Sequence, residues 1–490
     1  MDICRRQFGL WALAAAATRA FGQPSRPKLF VLVILEQLRS DQVEGLAPRF
    51  GDGGFRRLRK EGVWFPDCRH LASGFSATGL ATLATGAWPA EHGIVADSWY
   101  DRGGHAPVHA SADALLATTL AAQVAASPRA RAYVIGLDRS HAGLVAGGFG
   151  ARTFWMDQSG QFAADSPPDW LADFNRAAPL ENRHNQPWIA LGARDGAPPL
   201  RTLTYDPARP ADFVALYKAS PFAEEAQFSL LSELIAREQL GQRDTLDFVC
   251  LISGASALLG YDTGARSPLM DQMTLQLDQH LEALLTELDI LPGQGAYSLA
   301  LTAAHGAPPA PAAIQRARMA VNGESLAQAV QRALKTGGNG GVEKFLYPFL
   351  YLDGAGGKEA ARLAAARAAM SQPAVAGYYT ADGACSTHDD FERRFRNSFH
   401  AARSGDVMLS YQPEYVEDYG GGRGISYGSL YNYDACVPLF LLGPQFRAGV
   451  HESPVESVDV APTLARAMGV GQPSSSTGRV LARAMGDDEE

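Results

Sequence analysis

The chain lacks an apolar run long enough to cross a bilayer, a surplus of basic residues, and any internal repeat. A helical span needs about 20 consecutive apolar residues, so a membrane span is excluded. The net charge of −9 argues against nucleic acid or an anionic membrane as a partner. The one basic run, Arg56-Arg57-Leu58-Arg59-Lys60, reads as the wet face of a short helix. The missing repeat excludes a solenoid or propeller. Cysteine is scarce, with Cys68, Cys250, Cys385 and Cys436 beyond the leader. Four thiols allow two disulfides in three connectivities, and Cys250, inside an apolar run, reads as core filler.

What is present is enough for a large core. The 490 residues are 46% hydrophobic, which suits one large α/β domain with insertions or two domains. The N-terminus reads as an export signal over residues 1–22. Arg5-Arg6 and Phe8 precede the apolar run Gly9–Ala17, and Ala20-Phe21-Gly22 offers a small-x-small cleavage site. The arginine pair resembles a twin-arginine signal, which implies a periplasmic or extracellular protein. Cleavage leaves 40 basic against 51 acidic residues, a charge of −11.

Short continuous apolar runs at Leu29–Leu35, Ala132–Leu137, Phe248–Ile252, Ser298–Thr302 and Pro438–Leu442 read as strands buried on both faces. Helical periodicity lies near them, at Ala112–Ala126, Gln227–Glu238 and Asp271–Leu288. Alternation of this kind predicts a mostly parallel sheet between two helix layers. Ligands of such sheets bind beyond the carboxyl ends of the strands, where Glu36 and His305 fall. Residues 151–220, rich in Pro, Asp, Asn and Trp, read as an insertion or cap. Residues 307–420 read as a smaller α+β lobe, with strands at Phe345–Leu352, Ala376–Thr380 and Asp406–Tyr411 and a helix at Lys358–Met370. Residues 471–490 form a polar tail.

Chemistry concentrates in a few runs. Residues 72–86 read ASGFSATGLATLATG, followed by Trp88-Pro89-Ala90-Glu91-His92-Gly93-Ile94. Ser76 stands just ahead of a predicted helix, where it is either an N-cap or a hydroxyl nucleophile served by helix amides. The other runs are Glu36-Gln37-Leu38-Arg39, Ser253–Gly264, Ala304-His305-Gly306, and Ser426-Tyr427-Gly428-Ser429 before Tyr433-Asp434 and Val437-Pro438. Together they resemble the alkaline phosphatase superfamily, in its type I phosphodiesterase and PhoA-unlike alkaline phosphatase branch. The likeness runs from Lys28 to about Val470 and closes on Val458-Asp459-Val460-Ala461-Pro462-Thr463-Leu464.

The resemblance implies a three-layer α/β/α phosphatase-like core and a hydrolase that holds two zinc ions on six Asp and His side chains. Ser76 takes the nucleophile position. Of the ligand positions, His305 is kept and Glu36 replaces Asp, while Ala257, Tyr261, Ala304 and Tyr427 stand where the family has Asp or His. Zinc takes three or four protein ligands, and alanine supplies none. The phosphate-binding run after the third strand maps to Asp138-Arg139-Ser140, with acid and hydroxyl in place of two bases, and Asp97 replaces an Asn.

The implied function is a non-catalytic or severely impaired homologue that acts by binding an unknown small molecule or protein, with no cofactor. The alternative is an active metal-dependent phosphatase or phosphodiesterase with Ser76 as nucleophile and an atypical zinc site. Asp262, Asp271, His388, Asp389 and Asp434 are candidates for rebuilding such a site, whereas His92, His105, His109 and His141 read as hydrogen-bonded structural or surface histidines. Tyr261 and Tyr427 are expected to fill the ion positions with their hydroxyls hydrogen-bonded, Glu36 and His305 being the nearest partners.

Overall fold

The structure is a computed structural model that describes residues 27–308, 319–354, 358–387, 389–419 and 426–485. Residues 1–22, read from the sequence as an export signal, lie outside the described residues. The core strands are β1 (Leu29–Gln37), β2 (Val63–Arg69), β3 (Ala130–Gly136), β4 (Arg152–Met156), β5 (Phe162–Ala164), β6 (Leu246–Ser253), β7 (Tyr297–His305), β8 (Cys436–Leu442), β9 (Gly449–Val450) and β10 (Val455–Glu456). They form one ten-stranded sheet in the order β9-β2-β8-β7-β1-β6-β3-β4-β5, with β10 also on β2. The strands from β7 to β4 are parallel neighbours, and β8, β2 and β5 add antiparallel pairs. All nine residues of β1 are buried, as a strand covered by helices on both faces requires.

Register places the site. Leu35 pairs with Ser253 on one side and Ala303 on the other, and Gln37 pairs with His305. Glu36, the loop after Ser253 and the Ala304-His305 pair therefore end at one edge.

Three local expectations change. Ala112–Ala126 is not one helix: a single 3-10 turn at Ala112–Ala114 is followed by a helix over Leu120–Ala126. Thr119 takes the Ala122 amide on its hydroxyl and starts that helix afresh. Residues 152–164 supply β4 and β5 of the main sheet, and a small hairpin of Gln186–Trp188 and Arg201–Leu203 follows. Phe345–Leu352 divides at Tyr347-Pro348 into two antiparallel strands, since proline has no amide for a ladder.

A second sheet, Val342–Leu346, Phe349–Leu352, Val407–Tyr411 and Val375–Thr380 in spatial order, is antiparallel. It packs with helices Gly323–Thr336 and Glu359–Met370 around Leu326, Val330, Leu350 and Leu409. Phe75, beside Ser76, belongs to this second core, so the site stands on the seam between the two sheets. Cys68, Cys250, Cys385 and Cys436 are free thiols. Among the described residues no helix is long and apolar enough to cross a membrane.

Candidate functional site

Ser76 opens helix α1 (Ser76–Thr85), and the N-cap is Phe75, in extended conformation. The serine hydroxyl does no capping. Asp97 does it instead, taking the Ala77 amide on Oδ1 at 2.9 Å. The helix approaches β7 closely because residue 79 is glycine: a Cβ there would lie 2.0 Å from the Ala304 carbonyl oxygen. That approach sets Ser76 Oγ 2.9 Å from His305 Nε2.

His305 is fully buried, and its Nδ1 lies 2.6 Å from the Gly306 carbonyl oxygen. A carbonyl only accepts, so the proton is on Nδ1 and Nε2 presents its lone pair to Ser76. Burial pushes the imidazole down to about 3, and the ring is neutral. Hydroxyl, imidazole and orienting carbonyl form a nucleophile–base line. Tyr427 closes it. Its ring stacks on His305 with centroids 4.0 Å apart, and its hydroxyl lies 3.1 Å from Ser76 Oγ. Burial, and then the charges of Asp97 and Glu36, hold the phenol well above its ordinary range. Ser76 itself is fully buried.

Glu36 ends β1 in a different contact. Its Oε1 lies 2.8 Å from His141 Nδ1, on helix α2 (Arg139–Ala146). Asp138, the N-cap of α2, takes the His141 amide at 2.9 Å and sits 3.2 Å from His141 Nδ1. Burial alone would lower the His141 pKa, but Glu36 and Asp138 overcome it and push it up to about 10. His141 is an imidazolium between two carboxylates. The same ion pair helps hold Asp138 below the usual carboxylate range against the effect of burial.

The fit to zinc follows from these contacts. Ala257 and Ala304 are buried methyl groups with no donor atom. Tyr261 lies one turn after Ala257 on helix α3 (Ala255–Thr263) and faces a cavity with Tyr427. Among the described residues, Ala257 and Ala304 therefore supply no donor where the family carries carboxylates. Glu36, Asp138 and His141 are the one trio among the described residues whose ligand atoms lie within 4.8 Å of one another. An ion there would have to displace the proton from His141, because a metal ligand must present a lone pair.

The other predicted residues divide. Asp97 reaches the cavity wall. Arg139 turns outward, pairing with Asp165 at 3.0 Å and lying over the Trp155 ring. Ser140 is exposed and donates to Asp138 Oδ1 at 2.6 Å. The candidates for a rebuilt site do not gather. Asp262 pairs with Arg201 at 2.7 Å, Asp389 caps the helix Asp390–Ser398, and Asp434 accepts the Ser429 amide at 2.9 Å. Asp271 lies in the first turn of the helix Pro268–Leu288, and His388 is outside the described residues.

Sequence reasoning passed over three contributors. Phe75, Tyr347 and Tyr419 line the cavity, and the last two come from the smaller lobe, where no motif or period singles them out. The pairing of His141 with Glu36 carried a faint signal, an Asp-x-x-His spacing at a helix start.

Comparison with known proteins places this geometry. Residues 30–423 match the family described as Type I phosphodiesterase / nucleotide pyrophosphatase. Alkaline phosphatase PhoV of Synechococcus elongatus is 25% identical, over 93% of this chain and 92% of its own. Alkaline phosphatase PafA of Elizabethkingia meningoseptica is 24% identical, over 94% and 95%. The crystal structure of wild-type PafA shares the fold with a TM-score of 0.81 at 21% identity, covering 94% of this chain and 99% of that one. Murine ectonucleotide pyrophosphatase / phosphodiesterase 5 has a TM-score of 0.57 at 14% identity, covering 90% and 95%.

Proposed function

The chain belongs to the type I phosphodiesterase / nucleotide pyrophosphatase family, and we propose that it is a member without the dizinc centre, exported, that acts by binding a small molecule or protein. The observation that carries this reading is Tyr427. Its ring lies against the one remaining imidazole of the ligand set, and its hydroxyl contacts Ser76 Oγ, where a metal-activated nucleophile would need room for an ion and a substrate.

Zinc, where bound, supplies a Lewis acid that ionises the nucleophile and neutralises charge on the transferred phosphoryl group. The chain's own groups do not replace that chemistry. His305 orients the Ser76 hydroxyl, but an imidazole held near 3 is a poor base for an alcohol. Asp97 and Asp138 present negative charge to an anionic substrate, and Arg139 is spent on Asp165.

Elemental analysis of the purified chain tests the reading. Far less than two zinc ions per chain is expected, with hydrolysis of aryl phosphate mono- and diesters near background. Tight, near-stoichiometric zinc would overturn it. So would phosphatase turnover abolished by Ser76→Ala, which would favour a metal-dependent enzyme with an ion on Glu36, Asp138 and His141.

A further inference from the structure

A cavity of about 280 Å³ opens beside Ser76, at the seam of the two sheets. Its walls are mainly aromatic: Phe75, Tyr261, Tyr347, Tyr419 and Tyr427. Phe75 and Tyr347 meet edge to face, with ring centroids 6.2 Å apart and planes 63° apart, which makes a corner of two π surfaces. Tyr427 is fixed by its stack on His305, so its position needs no ordering on ligand entry. Asp97 brings a carboxylate to the wall. Behind it stand Glu36 and Asp138, opposed by His141 between them and by Lys218 near Asp138. Among the described residues no lysine or arginine lines the cavity, and His109 is the one basic side chain on its wall.

This combination selects by sign. The face of an aromatic ring attracts a cation within about 6 Å of its centroid, and more strongly where water is excluded. A carboxylate at the same wall adds direct attraction. Among the described residues, a phosphate would meet the Asp97 carboxylate on the wall and no guanidinium or ammonium beside it there. We propose that the cavity lined by Phe75, Tyr261, Tyr347, Tyr419, Tyr427 and Asp97 binds a small organic ammonium ion. The inference rests on the absence of the dizinc centre, since two dications beside Ser76 would reverse the local sign. The pocket has kept the place of a hydrolase site and exchanged its preference for anions for one for cations.

Isothermal titration at pH 8, where His141 keeps its proton, tests this with choline, its neutral isostere 3,3-dimethylbutan-1-ol, and inorganic phosphate. Choline is expected to bind at least tenfold more tightly than the alcohol, with no heat from phosphate. Asp97→Asn, which keeps an acceptor for the Ala77 amide, is expected to weaken choline about tenfold. Tyr419→Ala, at an exposed side chain, is expected to weaken it several-fold without unfolding the chain. Equal binding of choline and the alcohol, or binding of phosphate in preference to choline, would overturn the proposal. Zinc content measured on the same preparation separates the two readings. A zinc-free, folded protein that ignores choline defeats this inference alone, whereas a zinc-loaded protein that binds phosphate defeats the proposed function as well.

Discussion

The two sides of Ser76 are built by different rules. Toward the sheet, the contacts are backbone contacts. Gly79 lies against the Ala304 carbonyl, and a Cβ on Gly306 would stand 2.0 Å from the Tyr433 carbonyl oxygen. His70 binds the Ala303 carbonyl at 2.9 Å, and His92 takes the Ile94 amide at 3.0 Å; burial lowers both imidazoles, to about 4 and about 3. Toward the cavity, the contacts are between side chains: Tyr427 on His305, His141 with Glu36, Tyr261 on the wall. A residue that packs against backbone is fixed by sterics whatever the protein does. A metal ligand is fixed only by its ion. Once the ion is lost, any side chain that fills the space and satisfies its polar atoms will serve.

The sharpest way to break this contrast is at Gly79. Gly79→Val should prevent folding or cost at least about 3 kcal/mol in urea unfolding, because the backbone it meets cannot step aside as a side chain can. A stable Gly79→Val protein would mean the sheet side is as plastic as the cavity side.

Next comes Tyr427→Ala, which should leave the fold standing and uncover Ser76. Removing the ring also hydrates His305 and lifts the burial that holds it near 3, so a neutral alkyl fluorophosphonate should then form an Oγ–P bond on Ser76, losing fluoride while His305 takes the hydroxyl proton. Intact-mass spectrometry should find the adduct in the variant and not in the parent. Labelling of the parent would show that Tyr427 is no barrier.

A combined return to the family's ligands, Glu36→Asp, Ala257→Asp, Tyr261→His, Ala304→Asp and Tyr427→His, probes the cavity side directly. The variant should fold and gain melting temperature on adding zinc, while the parent's melting curve does not move. Failure to fold even with zinc would show that these positions have become structural.

The smallest effect concerns Glu224, buried beneath the end of β6, which accepts from Ser253 Oγ at 2.9 Å. Burial pushes its pKa up to about 7, against the pull of that hydrogen bond. The folded state keeps a proton that the unfolded chain loses near pH 4.5. Stability from this group is therefore present at low pH and falls as pH rises from about 4.5 to about 7. Glu224→Gln should remove the fall, a gain of roughly 2–3 kcal/mol at pH 8 relative to pH 5, read from urea midpoints.

The sheet was legible because its strands are continuous apolar runs of strand length between helical stretches, and β1, β6 and β7 carry the clearest of them. The position of Ser76 was legible from motif spacing, but not its role at the helix start, because capping by Asp97 comes from outside the helix. The direction of Arg139 was not legible: neighbouring residues on a helix point to different sides, so Asp138 faces Glu36 while Arg139 faces solvent. The aromatic wall was least legible. Tyr347 and Tyr419 are more than two hundred residues from Phe75, and only the docking of the second sheet brings them there.

His141 bears on where such a protein can work. Between Glu36 and Asp138 the charge that would elsewhere be balanced by an imported ion is balanced by a proton on the chain's own imidazole. Shape at this edge of the sheet then costs the cell no trace metal. On the proposed reading, chelators, zinc starvation and competing metal-binding proteins would disarm a dizinc relative and leave this edge as it is.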